Sequence, residues 1–156
     1  MQYVVPVFAL TLLLAGIVSA FEIDGLRNGM SQAEVKKALE ASYEGIQIKD
    51  DNYIEARQAS TSYFIYATFC KGKLVQVQKD LNPRFDYFVR LVEQKTGELG
   101  KPIAAWTNPA RIDSPVESNS VSFLWKEGQS SITVSYTEFP SNKQLYIVYE
   151  IKNSCS

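Results

Sequence analysis

Four stretches of this chain alternate apolar and polar residues with a period of two, and only an extended strand with one dry face satisfies that pattern. From Ser62 to Cys70 the apolar positions are Tyr63, Ile65, Ala67 and Phe69. Val121, Phe123 and Trp125 form the second series, and Ile132, Val134 and Tyr136 form the third, interleaved with Thr133, Ser135 and Thr137. Leu145, Ile147, Tyr149 and Ile151 form the last. Lys71-Gly72 is hairpin chemistry and turns the first series into another strand, Leu74 to Gln78. Glu127-Gly128 and Pro140 to Lys143 separate the last three, and a shorter strand is expected from Gly45 to Lys49.

Two segments change period. Ser31 and Glu34 have the S-x-x-E spacing of a capping box, with Met30 and Val35 placed as a hydrophobic staple. Val35, Ala38 and Leu39 continue the one-sided stripe of a helix, expected from about Gln32 to Ala41. Asn82-Pro83 is read as the cap and first position of a second helix. Its apolar face holds Phe85, Phe88, Val92 and Leu99, and Gly100-Lys101-Pro102 stops it. The expected order is helix, two or three strands, helix, three strands. That order predicts an α+β fold, an antiparallel sheet of five or six strands with two helices packed on one face. The two halves share an outline, although no residues align well enough to assert a repeat. Lys101 to Asn119, with Pro109 and Pro115, is expected to be a long loop.

The N-terminus reads as an export signal. Tyr3 to Val18 carry no charge, and Val18-Ser19-Ala20 places small residues where a signal peptidase reads them. Residues 1–20 are therefore expected to be a signal peptide and residues 21–156 a single domain. The apolar stretch is shorter than the roughly 20 residues needed to span a bilayer. No stable membrane insertion is expected after cleavage, and the location is periplasmic or secreted. Two cysteines in an oxidising compartment, Cys70 and Cys155, suggest a disulfide. In the chain-entropy account such a long loop closure contributes about 4 kcal/mol. Sixteen basic against seventeen acidic side chains give a net charge of −1, which lacks the basic field that nucleic acid requires.

The segment Leu26-Arg27-Asn28-Gly29-Met30-Ser31-Gln32-Ala33-Glu34-Val35-Lys36-Lys37-Ala38-Leu39 resembles the opening of the SmpA/OmlA family, small outer-membrane-assembly lipoproteins. The shared pattern is Gly-Met-Thr/Ser-x-x-x-Val-x-x-x-Leu on the first helix of a module of helices and antiparallel sheet. Duplicated, that module resembles the β-lactamase inhibitory protein-like fold. The resemblance implies scaffolding or binding rather than catalysis. The chain departs from the family in having no lipid-bearing cysteine, and in Glu40-Ala41-Ser42 where the family places Gly and Pro.

There is no histidine, so Ser-His-Asp and Cys-His catalysis and histidine-based metal sites are excluded. No glycine-rich phosphate loop is present. Asp50, Asp51 and Glu55 form an acidic segment that reads as a solvated loop, with a carboxylate pair or a weak calcium site as its alternatives. No catalytic residue, cofactor or metal is expected. The aromatic residues, 9 Tyr, 8 Phe and 2 Trp, are numerous enough that some should lie outside the core. Trp106 and Arg111, in the expected loop, belong to residue types enriched at binding hot spots and are the candidate partner-binding residues. Tyr146, offset from the apolar face of its strand, is a candidate for an exposed row with Tyr66 or Leu124. The expected function is an exported, non-enzymatic binding module of the envelope or exterior that engages a protein partner. The alternatives are a secreted inhibitor of an extracellular enzyme and, behind it, a histidine-free carboxylate hydrolase.

Overall fold

A computed structural model describes residues 21–108 and 118–151. The expected signal peptide, Arg111 and Cys155 lie outside the described residues.

The capping box forms as the spacing predicts. Glu34 accepts the Ser31 amide at 2.8 Å and the Ser31 hydroxyl accepts the Glu34 amide at 3.4 Å, opening α1 at Gln32–Leu39. Val35 and Leu39 point inward and are fully buried. Before this helix, Glu22–Ile23 (β1) and Leu26–Arg27 (β2) make a two-stranded antiparallel hairpin that the sequence reading missed. Its turn is pinned from below. Asp24 accepts the Lys79 ammonium at 2.6 Å and the Tyr43 hydroxyl at 2.5 Å, and burial beside that carboxylate pushes the Tyr43 hydroxyl well up.

Four strands then run as a meander: β3 (Tyr43–Asp50), β4 (Tyr53–Gln58), β5 (Phe64–Cys70) and β6 (Lys73–Leu81). β4 corrects the expectation of a polar loop. Tyr53-Ile54-Glu55-Ala56-Arg57 does alternate, but only Ile54 and Ala56 mark the dry face, and the charges between them masked the period. The hairpin at Lys71-Gly72 holds both residues at positive φ, 50° and 73°, as a two-residue primed turn requires.

The second helix, α2, covers Phe85–Leu99 and so begins two residues later than read. Arg84 stays extended (φ −85°, ψ 131°) and supplies no side-chain cap; it forks onto Asp86 instead, with both contacts at 2.9 Å. A second meander follows: β7 (Ala104–Asn108), β8 (Asn119–Glu127), β9 (Ser130–Glu138) and β10 (Lys143–Ile151). β7 replaces the first part of the expected Lys101–Asn119 loop.

The main sheet has eight strands in the order β3-β4-β5-β6-β10-β9-β8-β7, all antiparallel, rather than five or six. The fold is α+β. Each half is one helix followed by a four-stranded meander, and the halves join through their last strands, β6 beside β10. Read from either edge, the sheet gives the same sequence of elements.

Strand register sorts every side chain to one of two faces. On the inner face Ile54, Ala67, Val77, Tyr149, Ile132 and Trp125 are cross-strand neighbours and all are buried. Both helices lie over this face. Val35 and Leu39 join the same core, and Phe88 sits 6.1 Å from Phe123 and 5.5 Å from Tyr136, ring centre to ring centre. No helix among the described residues covers the other face.

Candidate functional site

The uncovered face carries its own pattern. One cross-strand row runs through Tyr146, Ser135, Ser122 and Trp106, with Asp80 on the other side of Tyr146. The neighbouring row is Glu55, Tyr66, Gln78, Val148, Thr133, Leu124 and Ala104. Both rows pass from one half of the molecule to the other without interruption, because β6 and β10 are paired.

Aromatic rings gather in the first half. Tyr53 and Phe64 flank Tyr66, each 6.0 Å from it between ring centres and nearly parallel. Across β6 stands Tyr146, and together these rings wall a groove of ≈ 670 Å³. Asp80 lies within it. Gln78 and the Tyr66 hydroxyl approach its two carboxylate oxygens at 3.5 Å each, which is long for a hydrogen bond. Burial pushes the Asp80 carboxyl above its ordinary range. Burial, then the nearby Asp80 and Glu55 charges, push the Tyr66 hydroxyl up to about 12. Glu55, on the same face, is paired with Lys49 at 2.8 Å.

The second half is flatter and hydroxyl-rich. Ser122 and Ser135 are buried and share a hydrogen bond of 2.7 Å. With Trp106, Thr137 and Tyr146 they line a shallower groove of ≈ 500 Å³, and the two grooves meet at Gln78 and Tyr146.

The sequence candidates are placed as follows. Trp106 is not in a loop. It sits in β7 at the sheet edge, 45% exposed, with its side chain on the uncovered face. Its companion Arg111 lies outside the described residues. Tyr146, Tyr66 and Leu124 do share one face, but Tyr66 and Leu124 belong to one row and Tyr146 to the row beside it. Asp50 and Asp51 end β3 and begin a turn in which the Asp50 carboxylate accepts the Asn52 amide at 2.7 Å, while Glu55 is on β4. Cys70, at the end of β5, is disulfide-bonded, and its expected partner Cys155 lies outside the described residues. No helix among the described residues is long and apolar enough to cross a membrane, and none of their acidic and cysteine side chains group as metal ligands.

Sequence reasoning did not single out Asp80, Gln78, Tyr53 or Phe64. One signal was present. Phe64 and Tyr66 occupy the positions of the Ser62–Cys70 alternation opposite Ile65 and Ala67, so two large rings stood where polar residues are usual. No family model matches the chain, and neither the curated proteins nor the solved structures yielded a match.

Proposed function

We propose that the protein is an exported, non-enzymatic binding module whose uncovered sheet face engages a protein partner, outside the cytoplasm in the periplasm or the surrounding medium. One observation carries the reading: Tyr53, Phe64, Tyr66, Tyr146 and Trp106 stand on one sheet face, over which no helix among the described residues lies. Tyrosine and tryptophan dominate binding hot spots because they bury large area with few rotors and keep a polar tip. The core lies on the opposite face, so Trp106, 45% exposed at the sheet edge, is expected to contribute more to association than to stability. The export signal at residues 1–20 and the Cys70–Cys155 pair are consistent with a protein that works outside the cytoplasm.

One further observation favours the inhibitor reading within this proposal. The structure repeats a unit of helix and four-stranded meander, and a duplicated module of helices and antiparallel sheet is what the β-lactamase inhibitory protein-like resemblance would imply.

The test is site-directed photo-cross-linking. A benzophenone amino acid at position 146 or 66 should trap one protein from the envelope fraction or medium, and the same group at position 93 on α2 should not. Adding a Trp106→Asp or Tyr146→Asp change should reduce capture at least tenfold. Equal capture from the helix side and the sheet side would defeat the proposal. If the captured protein is an enzyme and loses activity when bound, the inhibitor reading is selected.

A further inference from the structure

The Asp80 carboxylate lies in the aromatic groove, whose described lining includes one cationic side chain, Lys143. Among the described residues no lysine or arginine is ion-paired with it. The described basic side chains that share a pocket with Asp80 are engaged elsewhere. Lys143, in the same groove, is paired with Glu138 at 2.9 Å, while Lys79, Arg84 and Arg90 line a second pocket beside Asp80 and are paired with Asp24 at 2.6 Å and with Asp86 at 2.9 and 2.8 Å. The groups that approach Asp80 are neutral: the Gln78 amide, the Tyr66 hydroxyl and a backbone N–H.

We infer that the groove walled by Tyr53, Phe64, Tyr66 and Tyr146 receives a lysine or arginine side chain presented by the protein that docks on the uncovered face, with Asp80 as its counter-ion. The inference rests on the protein-binding reading above and names the chemistry of the partner's central contact. Each alternative occupant meets a specific cost. An apolar side chain seated here would take the Asp80 charge further out of water with nothing to pair it. An acidic one would meet a like charge in a site of low dielectric. A cation gains a charge-assisted hydrogen bond to the carboxylate, and its apolar stem packs against the rings that wall the groove. The ≈ 670 Å³ groove also has room for the long stem of either basic residue.

The probes are Nα-acetyl-arginine amide and Nα-acetyl-lysine amide, titrated into the ¹⁵N-labelled protein, with the neutral citrulline derivative as isostere. Saturable shifts are expected at the amides of Phe64, Tyr66, Gln78, Asp80 and Tyr146, with a Kd on the order of 1 mM for at least one cation. The citrulline derivative should bind at least fivefold more weakly, a comparison made on the unaltered protein that depends on no variant. Asp80→Asn should weaken the cationic probe at least fivefold as well. No saturable response to either cation, an equal response to citrulline, or undiminished binding by Asp80→Asn would overturn the inference. Cross-linking from position 146 separates the two levels. A trapped protein with no cation response leaves the binding module and removes the basic contact. A cation response with no trapped protein overturns the inference as stated, because the occupant would then be a free cationic small molecule.

Discussion

The Trp125 indole donates its Nε1–H to the Gly100 carbonyl at 3.0 Å, tying β8 to the residue that ends α2. That carbonyl is among those a helix C-terminus leaves without an internal partner. Gly100 itself sits at φ 82°, where a side chain would be strained, and its amide closes the last turn onto Thr96 at 3.0 Å. The two tryptophans thus do opposite work. Trp125 is 1% exposed and joins helix to sheet, whereas Trp106 is 45% exposed and touches the edge of the uncovered face.

Their truncations should separate accordingly. Trp125→Ala is expected to lower stability by about 3–5 kcal/mol, as for other buried aromatic residues. Trp106→Ala should change it by less than about 1 kcal/mol. Urea midpoints check both. A large loss at Trp106 would return that ring to the core.

Asp80 predicts a pH-dependent gain on neutralisation. Its folded pKa lies above the ordinary 3.8 because burial disfavours the charge. Below 3.8 the carboxyl is protonated in both folded and unfolded chains and costs nothing. As pH rises through the folded value, ionisation favours the unfolded chain. Asp80→Asn should therefore be more stable than wild type at pH 7. The advantage should vanish toward acid pH. Urea titrations of both proteins at several pH values test this, and a pH-independent difference would contradict it.

The capping box behaves in the reverse sense. Glu34 accepts the Ser31 amide and hydroxyl, and these hydrogen bonds hold its carboxyl below the ordinary 4.5. Its contribution is complete above that ordinary value and is lost as pH falls through the lower folded one. The stability gap between wild type and Glu34→Gln should accordingly be present at neutral pH and close in acid. Ser31→Ala should cost about 0.5–2 kcal/mol. An unchanged urea midpoint for Ser31→Ala would show that the cap does not support α1.

The proposed Cys70–Cys155 bridge has a direct chemical test. The protein, alkylated in denaturant without reductant, should take up no label at either position and should take up both labels after reduction. Labelling of both before reduction would disprove the pairing. Reduction should lower stability by about 2–4 kcal/mol, because the unfolded chain regains the freedom of a long loop.

Where local forces suffice, the residues speak for themselves. The S-x-x-E box opening α1, the period-two runs of β5 and β10, and the Lys71-Gly72 turn each depend on neighbours a few positions apart, and each forms as read. β4 and β7 were illegible for the same reason. Tyr53–Gln58 and Ala104–Asn108 have weak patterns of their own and become strands because β5 and β8 offer them hydrogen bonds. β9 does form as a strand, but its Ser135 and Thr137, expected to face water, are buried.

The candidate site was legible only in part. By itself the sequence determined an α+β chain with two amphipathic helices and several half-wet strands, and it put large rings at wet positions such as Phe64, Tyr66 and Tyr146. It could not determine that β6 pairs with β10, the contact that puts Asp80 beside Tyr146 and joins the aromatic groove to the hydroxyl-lined one. Strand alternation says which residues share a face of one strand and nothing about which strand lies next to it. That choice was made by the tertiary structure, because burying the inner face under both helices requires the two meanders to close into one sheet.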